Sequence, residues 1–359
     1  MDTKPASINL FSIRLLKWNR EKNTRKMPWK GEKDPYKIWL SEIILQQTRV
    51  EQGWDYYKKF TKAFPTVKKL ATASEKEVYK MWEGLGYYSR CKNLILTARY
   101  IANELKGKFP EQYEEIIQLK GVGNYTAAAI ASFAYNQPYA VLDGNVFRVL
   151  SRIFGVDIPV DSQEGKKYFT ALANQLLDKK KAGAYNQAIM DFGAVICKPV
   201  TPVCGECPFK RNCFAYKEKR VNDFPVKSKK IRIRERRFYY LVITYRDKYI
   251  IAPRKEKDIW QHLYEFPLLE SDQELNSRQV AELAVQKEIL PAKTGNGFIT
   301  FSDIYVQQLT HQRIYARFLR LKLDKKPLLP AGSQLVPGKK LSGFAFPRII
   351  TVYLSENLM

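Results

Sequence analysis

Apolar positions recur every three or four residues along the first 220 residues, interrupted at intervals by proline and glycine. This spacing predicts a series of amphipathic α-helices. Representative stretches are SEKEVYKMWEGL (74–85), CKNLILTARYIANEL (91–105) and QEGKKYFTALANQLL (163–177). The N-terminal MDTKPASINLFSIRLLKW has no signal-peptide cleavage pattern, so we expect it to form the first helix.

From Phe238 onward the pattern changes to β-branched and aromatic residues with partial alternation, which predicts strands. The stretches with this texture are RRFYYLVITY (236–245), KYIIAPR (248–254), DIYVQQLTHQRIYARFLRLKL (303–323) and RIITVYL (348–354). One stretch among them, SRQVAELAVQKEIL (277–290), has the spacing of a helix.

The two textures predict an all-α domain over residues 1–220 and an α+β domain over residues 238–359. The segment between them, 221–237, is predicted as a basic linker. Residues 227–237 within it hold seven lysines or arginines against one glutamate. A solvated linker and a linker that also follows a phosphate backbone explain this run equally well.

Composition narrows the class of partner. The formal net charge is +25, and the chain holds 22 tyrosines and six tryptophans, which together favour nucleic acid over a neutral ligand. No apolar run approaches the roughly 20 residues of a membrane span. Without a signal-peptide pattern, a reducing compartment is the default expectation, and clustered thiols there favour metal over disulfide. We therefore expect a monomer without membrane contact in a bacterial cytoplasm, associated with the nucleoid.

Four of the five cysteines lie close together, with the spacing C-x6-C-x2-C-x5-C. They are Cys197, Cys204, Cys207 and Cys213. Four thiolates can hold zinc or an iron–sulfur cluster. A structural zinc site usually takes two C-x-x-C pairs from separate loops, whereas this proline-rich loop has one pair and two flanking single cysteines. The spacing therefore favours a cluster.

The same spacing, at the end of a helical domain, resembles the cluster signature of the helix–hairpin–helix DNA glycosylases related to endonuclease III. This resemblance implies a [4Fe–4S] cluster and base-excision chemistry. LKGVGNYTA (119–127) likewise resembles the helix–hairpin–helix motif. We predict one helix from Pro110 to about Leu119 and a second over Tyr125–Tyr135. The hairpin between them would bind phosphate through backbone N–H groups; its residues are Lys120, Gly121, Val122 and Gly123, and both glycines permit positive φ.

Two carboxylates have different predicted surroundings. Ile38 and Leu45 place Glu42 on an apolar helix face, where burial would raise its pKa and suit it to general acid catalysis. Asp143 precedes a helix beginning near Val146, and the start of a helix would keep its carboxylate ionised. One protonated and one charged carboxyl group are what the cleavage of a glycosidic bond requires.

Four further motifs resemble those of adenine DNA glycosylases of the MutY type, and the likeness extends over about residues 8–225. They are SEIILQQTRV (41–50), GLGYYSR (84–90), VLDGNVFRV (141–149) and YNQAIMDFGAVIC (185–197). The resemblance implies hydrolytic removal of adenine mispaired with 8-oxoguanine or guanine in double-stranded DNA, with the adenine flipped out of the helix.

The resemblance also implies roles for individual residues. Glu42 would protonate adenine at N7 and later activate water, and Asp143 would stabilise the oxocarbenium-like sugar or bond to it transiently. Tyr125 and Asn145 would position these groups. Relatives that also cut the strand carry a lysine nucleophile at the position of Tyr125. A phenol cannot form a Schiff base, so base removal without strand cleavage is implied.

The remaining implied site residues form two sets. The adenine pocket would be lined by Arg25, Met27, Trp29 and Gln187. Met27 replaces the leucine more common in the family, an apolar change that the pocket should tolerate. DNA would be contacted by Gln47, Thr48 and Tyr87, with Gln47 filling the gap left by the adenine and Tyr87 acting as a wedge.

The second half resembles the Nudix-like (MutT-like) domain that follows the catalytic domain in MutY enzymes. IWQHLYEFPLL (259–269) is similar to the family's LWEFPGG. Residues 277–290 lack the glutamate-rich, metal-holding pattern of a Nudix hydrolase, so this domain should recognise rather than hydrolyse. The family's FSH turn at 8-oxoguanine corresponds here to Leu309, Thr310 and His311. The hydroxyl and the imidazole are kept, and the aromatic ring is lost.

Three alternatives remain open. A thymine- or oxidised-pyrimidine-removing relative would share the cysteine loop and the hairpin. A non-catalytic iron–sulfur DNA-binding protein would not need both Glu42 and Asp143 in their motifs. An active Nudix hydrolase with a DNA-binding appendage is disfavoured by the missing acidic helix. The α+β domain and the turn at Thr310 favour the adenine enzyme.

Overall fold

The computed structural model describes residues 5–228, 233–290, 300–327, 329 and 332–358. The chain divides into two compact units. The first, here called the helical unit, comprises Met1–Thr72 and Asn93–Lys230, and the second, the sheet unit, comprises Ala73–Lys92 and Ile231–Met359. Residues 73–92 thus belong to the sheet unit, although their pattern placed them with the other helices. Within the described ranges, no helix is long and apolar enough to cross a membrane.

The described part of the first 220 residues, from residue 5 onward, is built of helices and turns, as the spacing predicts. The helices are α1 (Pro5–Glu21), α2 (Pro35–Leu45), α3 (Val50–Ala63), α4 (Val67–Thr72), α5 (Glu75–Trp82), α6 (Tyr88–Asn103), α7 (Tyr113–Ile116), α8 (Asn124–Tyr135), α9 (Gly144–Phe154), α10 (Gln163–Leu176), α11 (Ala182–Val195) and α12 (Phe214–Lys217). Short 3-10 turns cover Lys179–Lys181, Cys204–Glu206, Lys210–Asn212 and Val221–Asp223.

The hairpin before α8 is partly as expected. α8 confirms the second predicted helix, but the first is much shorter than Pro110–Leu119, since only α7 is helical. After α7 the chain continues in turns, with the N–H of Leu119 bonded to the carbonyl of Ile116 at 3.1 Å. These tighter i to i+3 bonds bend the chain toward Gly121, whose φ is 82°. A Cβ there would lie 2.7 Å from the Cβ of Asn93, so only glycine fits.

The core of the helical unit is built around α11, which packs against α1, α8 and α9. Asn186 of α11 is fully buried. Its amide donates to the Ser132 hydroxyl at 2.9 Å and to the carbonyl of Tyr139 at 2.8 Å, and its oxygen accepts from the N–H of Val141 at 3.2 Å. This one side chain ties α8 and α11 to the segment leading into Asp143.

The sheet unit contains a mixed β-sheet. Its strands are β1 (Arg234–Tyr245), β2 (Lys248–Pro253), β3 (Tyr264–Glu265), β4 (Leu268–Ser271), β5 (Thr300–Phe301), β6 (Tyr305–Gln308), β7 (Gln312–Leu323) and β8 (Gln334–Pro337), with helices α13 (Ser277–Gln286) and α14 (Arg348–Asn357). The central order is β3-β2-β1-β7-β5, with β4 on β1, β6 on β7 and β8 on β2. β1 and β7 are parallel, and the other pairs are antiparallel.

The strands predicted over 236–245 and 248–254 and within 303–323 are confirmed, as is the helix α13. The strand predicted over 348–354 is wrong, because this stretch lies in α14. Pro347 precedes α14 and sets its start, and four apolar side chains of the helix form one buried face: Ile349, Ile350, Tyr353 and Leu354. Tertiary packing overrides the β preference of the isoleucines.

A buried ion-pair cluster stabilises the β1 end of the sheet. Arg236, only 8% exposed, donates to Glu270 at 2.6 Å, to Asp258 at 2.8 Å and to the side-chain oxygen of Gln312 at 3.0 Å. Gln312 directly follows the turn between β6 and β7. Arg236 therefore helps to hold the C-terminal end of that turn in place through charge-assisted hydrogen bonds.

Candidate active site

A cavity of about 760 Å³ in the helical unit brings together the residues assigned by sequence to catalysis and to adenine binding. Its wall includes Glu42, Tyr125, Asp143, Asn145, Arg25, Met27, Trp29, Gln187, Gln47 and Thr48. They come from α2 and the loops on either side of it, from α8, from α11 and from the start of α9. These elements are distant in sequence, so the cavity exists only in the folded helical unit.

Glu42 is buried in the cavity wall. It lies in the middle of α2, which begins at Pro35 after an Asp34 cap and is apolar on nearly every side. The carboxyl-bearing residue is 5% exposed, and burial raises its pKa from 4.5 to about 7. A hydrogen bond with Tyr125 acts in the opposite direction, and the nearby charge of Asp143 adds to the rise. The predicted burial is confirmed, and Glu42 can hold or release a proton near neutral pH.

Tyr125 lies one residue into α8, within reach of both carboxyl groups. Desolvation raises its pKa well above the usual range, and the charges of Glu42 and Asp143 raise it further. The phenol therefore stays protonated and acts as a hydrogen-bond donor. Its oxygen also lies 3.9 Å from the sulfur of Met190.

Asp143 caps α9, as predicted. Its carboxylate accepts from the N–H of Val146 at 2.8 Å and from the amide of Asn145 at 2.9 Å. Burial opposes the effect of the helix start, which favours the ionised form through these hydrogen bonds. Desolvation in the cavity wall raises the pKa of Asp143, and the hydrogen bonds from Val146 and Asn145 only partly offset it.

Asn145 is itself oriented by Arg148, a residue that sequence reasoning missed. The guanidinium donates to the side-chain oxygen of Asn145 at 2.7 Å and to the backbone carbonyls of Gly193 and Cys197, each at 2.8 Å. This fixes the amide nitrogen of Asn145 toward Asp143. The available signal was a pair of arginines four residues apart, Arg148 and Arg152, on an otherwise apolar helix.

Asp191 is a second missed residue, and it organises the wall of the cavity. It is fully buried in α11 and accepts from Arg25 and Lys30, each at 2.9 Å, from Asn23 at 2.8 Å and from Gln187 at 3.1 Å. Two of these partners line the predicted adenine pocket. A carboxylate four residues after Gln187 in an apolar helix was the only hint in the sequence.

The four clustered cysteines line one cavity together with Arg152, which donates to the sulfur of Cys197 at 3.6 Å. Among the described residues, no group of three or more His, Cys, Asp or Glu is arranged to hold a single metal ion. Four thiolates on one zinc would be only about 3.8 Å apart, given Zn–S bonds of about 2.3 Å. The shared cavity brings together four thiols, the residue type that holds zinc and iron–sulfur centres. The fifth cysteine, Cys91, is fully buried and outside this set.

Other predicted contact residues are available at the surface. Lys120 is exposed, and no side chain caps α8 at Gly123, which leaves its first N–H groups open. A Cβ on Gly123 would meet nothing within 4 Å, and its φ is −105°, so only Gly121 has the positive φ expected of both. Val122 is buried between them.

Two residues predicted to enter the DNA stack adopt left-handed backbone conformations that are uncommon outside glycine. Gln47 of the helical unit has φ 56° and Tyr87 of the sheet unit has φ 47°. In the sheet unit, Thr310 and His311 are exposed in the turn between β6 and β7. A hydrogen bond from the N–H of Leu309 to the carbonyl of Gln312, 2.7 Å long, closes the turn.

Comparisons with known proteins first give the class. The family model described as HhH-GPD superfamily base excision DNA repair protein matches residues 40–175. A solved structure of a thermostable thymine-DNA glycosylase is 29% identical, with a TM-score of 0.56, and is matched over 60% of this chain and 100% of its own. The helical unit thus has the helix–hairpin–helix fold of the base-excision DNA glycosylases.

Two relatives then define the family. The adenine DNA glycosylase of Buchnera aphidicola from Schizaphis graminum is 37% identical over 261 residues, which cover 73% of this chain and 75% of the relative. The mouse adenine DNA glycosylase is 40% identical over 220 residues, covering 59% of this chain and 42% of the relative. The chain belongs to the adenine DNA glycosylases of the MutY type, which hydrolyse N-glycosyl bonds in base excision repair.

Proposed function

We propose that this chain removes adenine mispaired with 8-oxoguanine, or with guanine, from double-stranded DNA and leaves the strand uncut. The observation that carries the proposal is the shared cavity in which Glu42, with a pKa of about 7, faces Tyr125 and Asp143. The cavity volume of about 760 Å³ suits a flipped nucleotide.

In the proposed reaction, protonated Glu42 gives its proton to N7 of the flipped adenine. The bond between C1′ and N9 then breaks, and its electron pair leaves with the base. Ionised Asp143 stabilises the positive charge that develops on the sugar, held in place by Asn145 and the start of α9. Glu42 next takes a proton from water, whose hydroxyl adds to C1′. The products are free adenine and an abasic site.

The adenine would be held by Arg25, Met27, Trp29 and Gln187. Asp191 supports this assignment because its carboxylate accepts hydrogen bonds from Arg25 and Gln187 and so fixes both side chains in the cavity wall. Tyr125 donates a hydrogen bond to Glu42 and cannot supply an amine, so Schiff-base strand cleavage has no nucleophile at this position.

On the DNA, the open N–H groups before α8 would bind phosphate, with Lys120 adding charge. Gln47, Thr48 and Tyr87 would occupy the space around the flipped adenine and its partner base. Thr310 and His311 would form hydrogen bonds to 8-oxoguanine. The sheet unit is proposed to be a Nudix-like recognition domain, since α13 carries only one acidic residue, Glu282, and cannot form a metal-holding acidic helix.

We further propose that Cys197, Cys204, Cys207 and Cys213 hold a [4Fe–4S] cluster. Bound there, such a cluster would cross-link residues 197–213 and keep Lys198, Lys210 and Arg211 available for phosphate. Purified protein should then be brown, and visible absorbance should disappear when iron is removed. A colourless protein containing zinc would contradict the cluster.

The test is single-turnover base excision on duplexes that differ in one pair: A:8-oxoguanine, A:G, T:G and an oxidised pyrimidine. We expect alkali-labile sites opposite 8-oxoguanine first and opposite guanine second, with little strand scission before alkali. Glu42→Gln should abolish base loss and retain duplex binding. Faster release of thymine or oxidised pyrimidine would contradict the substrate, and comparable scission without alkali would contradict the role of Tyr125.

A further inference from the structure

The segment 73–92 is held to the rest of the sheet unit by specific contacts near Phe344. Lys80 of α5 donates to the backbone carbonyl of Phe344 at 3.0 Å. The ammonium of Lys76, one turn earlier, lies 3.9 Å from the centre of the Phe344 ring. Two lysines of one helix therefore contact the same residue, one through a hydrogen bond and one through a cation–π contact.

Glu83, which directly follows α5, makes several of these connections. One carboxylate oxygen accepts from the backbone N–H of Phe346 at 2.9 Å and from the Thr351 hydroxyl at 3.5 Å. The other oxygen pairs with Lys80. The Glu83 side chain is 17% exposed, so these charge-assisted bonds are largely shielded from water. Glu83 thus fixes the end of α5 to the start of α14.

The turn that follows Glu83 has an unusual backbone and is held by hydrogen bonds from both sides. Three of its four residues have positive φ: Gly84 at 92°, Gly86 at 74° and Tyr87 at 47°. The carbonyl of Gly86 accepts from the indole of Trp82 at 3.0 Å and from Arg90 at 3.3 Å. Residues before and after the turn, Trp82 and Arg90, both hold the carbonyl of Gly86. We therefore expect a displacement at Glu83 to move Tyr87 as well.

At the end of this turn, the Tyr87 hydroxyl is hydrogen-bonded to the hydroxyl of Thr310. Both side chains are exposed. Tyr87, the proposed wedge, and Thr310, proposed to contact 8-oxoguanine, are therefore already in contact within the sheet unit.

We propose that Glu83 is a positioning residue for lesion recognition. It holds the turn that carries Tyr87 in a position from which Tyr87 and Thr310 can both contact the base opposite the adenine. This inference rests on the proposed function, because it requires that the opposite base be read by these two residues. Glu83 touches no reacting atom, so its loss should change which opposite base is preferred more than it changes the chemical step.

The experiment compares single-turnover adenine excision from A:8-oxoguanine and A:G duplexes. Glu83→Ala should lower the ratio of the two rates about tenfold, the factor expected for the loss of one charge-assisted hydrogen bond. Glu83→Gln keeps an oxygen for the N–H of Phe346 and should restore most of the ratio. Glu77→Ala, which removes an exposed glutamate of the same helix, is the matched control and should leave the ratio unchanged.

Several results would overturn this role. They are an unchanged ratio in Glu83→Ala, an equal loss on both duplexes, or a Glu83→Gln variant as poor as Glu83→Ala. If Glu83→Ala does not fold, Lys80→Ala removes the other half of the same connection and should lower the ratio in the same direction. A wild-type protein without preference for 8-oxoguanine would overturn the substrate proposal and this role with it. If the wild-type protein prefers 8-oxoguanine and Glu83→Ala keeps that preference, only the role of Glu83 is overturned.

Discussion

Glu42→Gln should stabilise the helical unit at alkaline pH while it removes activity. The substitution keeps the shape of the side chain and its capacity to accept from Tyr125, and it removes the ionisable group. At pH 8 the wild-type protein must hold a carboxylate in a site where burial disfavours the charge. The variant does not.

The magnitude follows from the pKa of Glu42, which rises from 4.5 in the unfolded chain to about 7 in the folded one. Because the folded value is higher, the folded state binds the proton more tightly. The contribution of Glu42 to the free energy of unfolding is therefore largest below pH 4.5, and it is lost as the pH rises through about 7. At about 1.4 kcal/mol per pKa unit, the total loss is about 3 to 4 kcal/mol, and most of it falls between pH 5 and pH 8.

The assay is urea-dependent hydrogen exchange of peptides from α2 and α8, which reports the unfolding free energy of the helical unit alone. The variant should gain about 2 to 3 kcal/mol over wild type on moving from pH 5 to pH 8. Glu51→Gln, an exposed position on α3, serves as the control and should show little change. If the difference between Glu42→Gln and wild type is the same at both pH values, the buried-acid reasoning is refuted.

Four further outcomes are expected. Gly121→Ala should cost about 1 to 3 kcal/mol of unfolding free energy and weaken duplex binding, because φ is 82° and the added Cβ would meet Asn93. Gly123→Ala should leave thermal stability unchanged yet weaken binding measured by fluorescence anisotropy, since its Cβ enters only open space before α8; equal melting losses would contradict this contrast. Asp191→Asn should destabilise the helical unit by about 2 to 4 kcal/mol in urea and raise KM at least tenfold, and unchanged kinetics would contradict its supporting role. Removal of iron from the cysteine loop should expose residues 197–213 to limited proteolysis, and resistance equal to the untreated protein would contradict a structural cluster.

The sequence indicated which side chains share the cavity better than it indicated the packing behind them. Glu42 could be identified because Ile38 and Leu45 define an apolar face around it, and an acid on such a face is costly unless it is used. Asp191 could not, because a buried carboxylate with partners distant in sequence has the same local pattern as a surface one. The partners, Arg25 and Lys30, lie more than 160 residues away.

Elements whose form depends on tertiary packing were also harder to predict. α14 is rich in β-branched residues and is helical because its buried face repeats every three to four residues after Pro347. Residues 73–92 look like any other amphipathic segment, and their membership of the sheet unit depends on contacts made by Glu83 and Lys80. Periodicity reports which face is buried and does not report what covers it.

The cysteine loop and Asp143, the carboxylate proposed to be catalytic, are connected through one helix. Arg148 and Arg152 of α9 together bind the backbone carbonyls of Cys197 at 2.8 Å, Lys198 at 2.6 Å and Pro199 at 3.1 Å. Arg148 also binds Asn145, which in turn donates to Asp143. Any change in the path of residues 197–199 must therefore move both guanidinium groups or leave buried donors unpaired, which is costly. The cysteine loop thus helps to set the position of the N-terminal end of α9, where Asp143 is held, although no cysteine lines the cavity of Glu42.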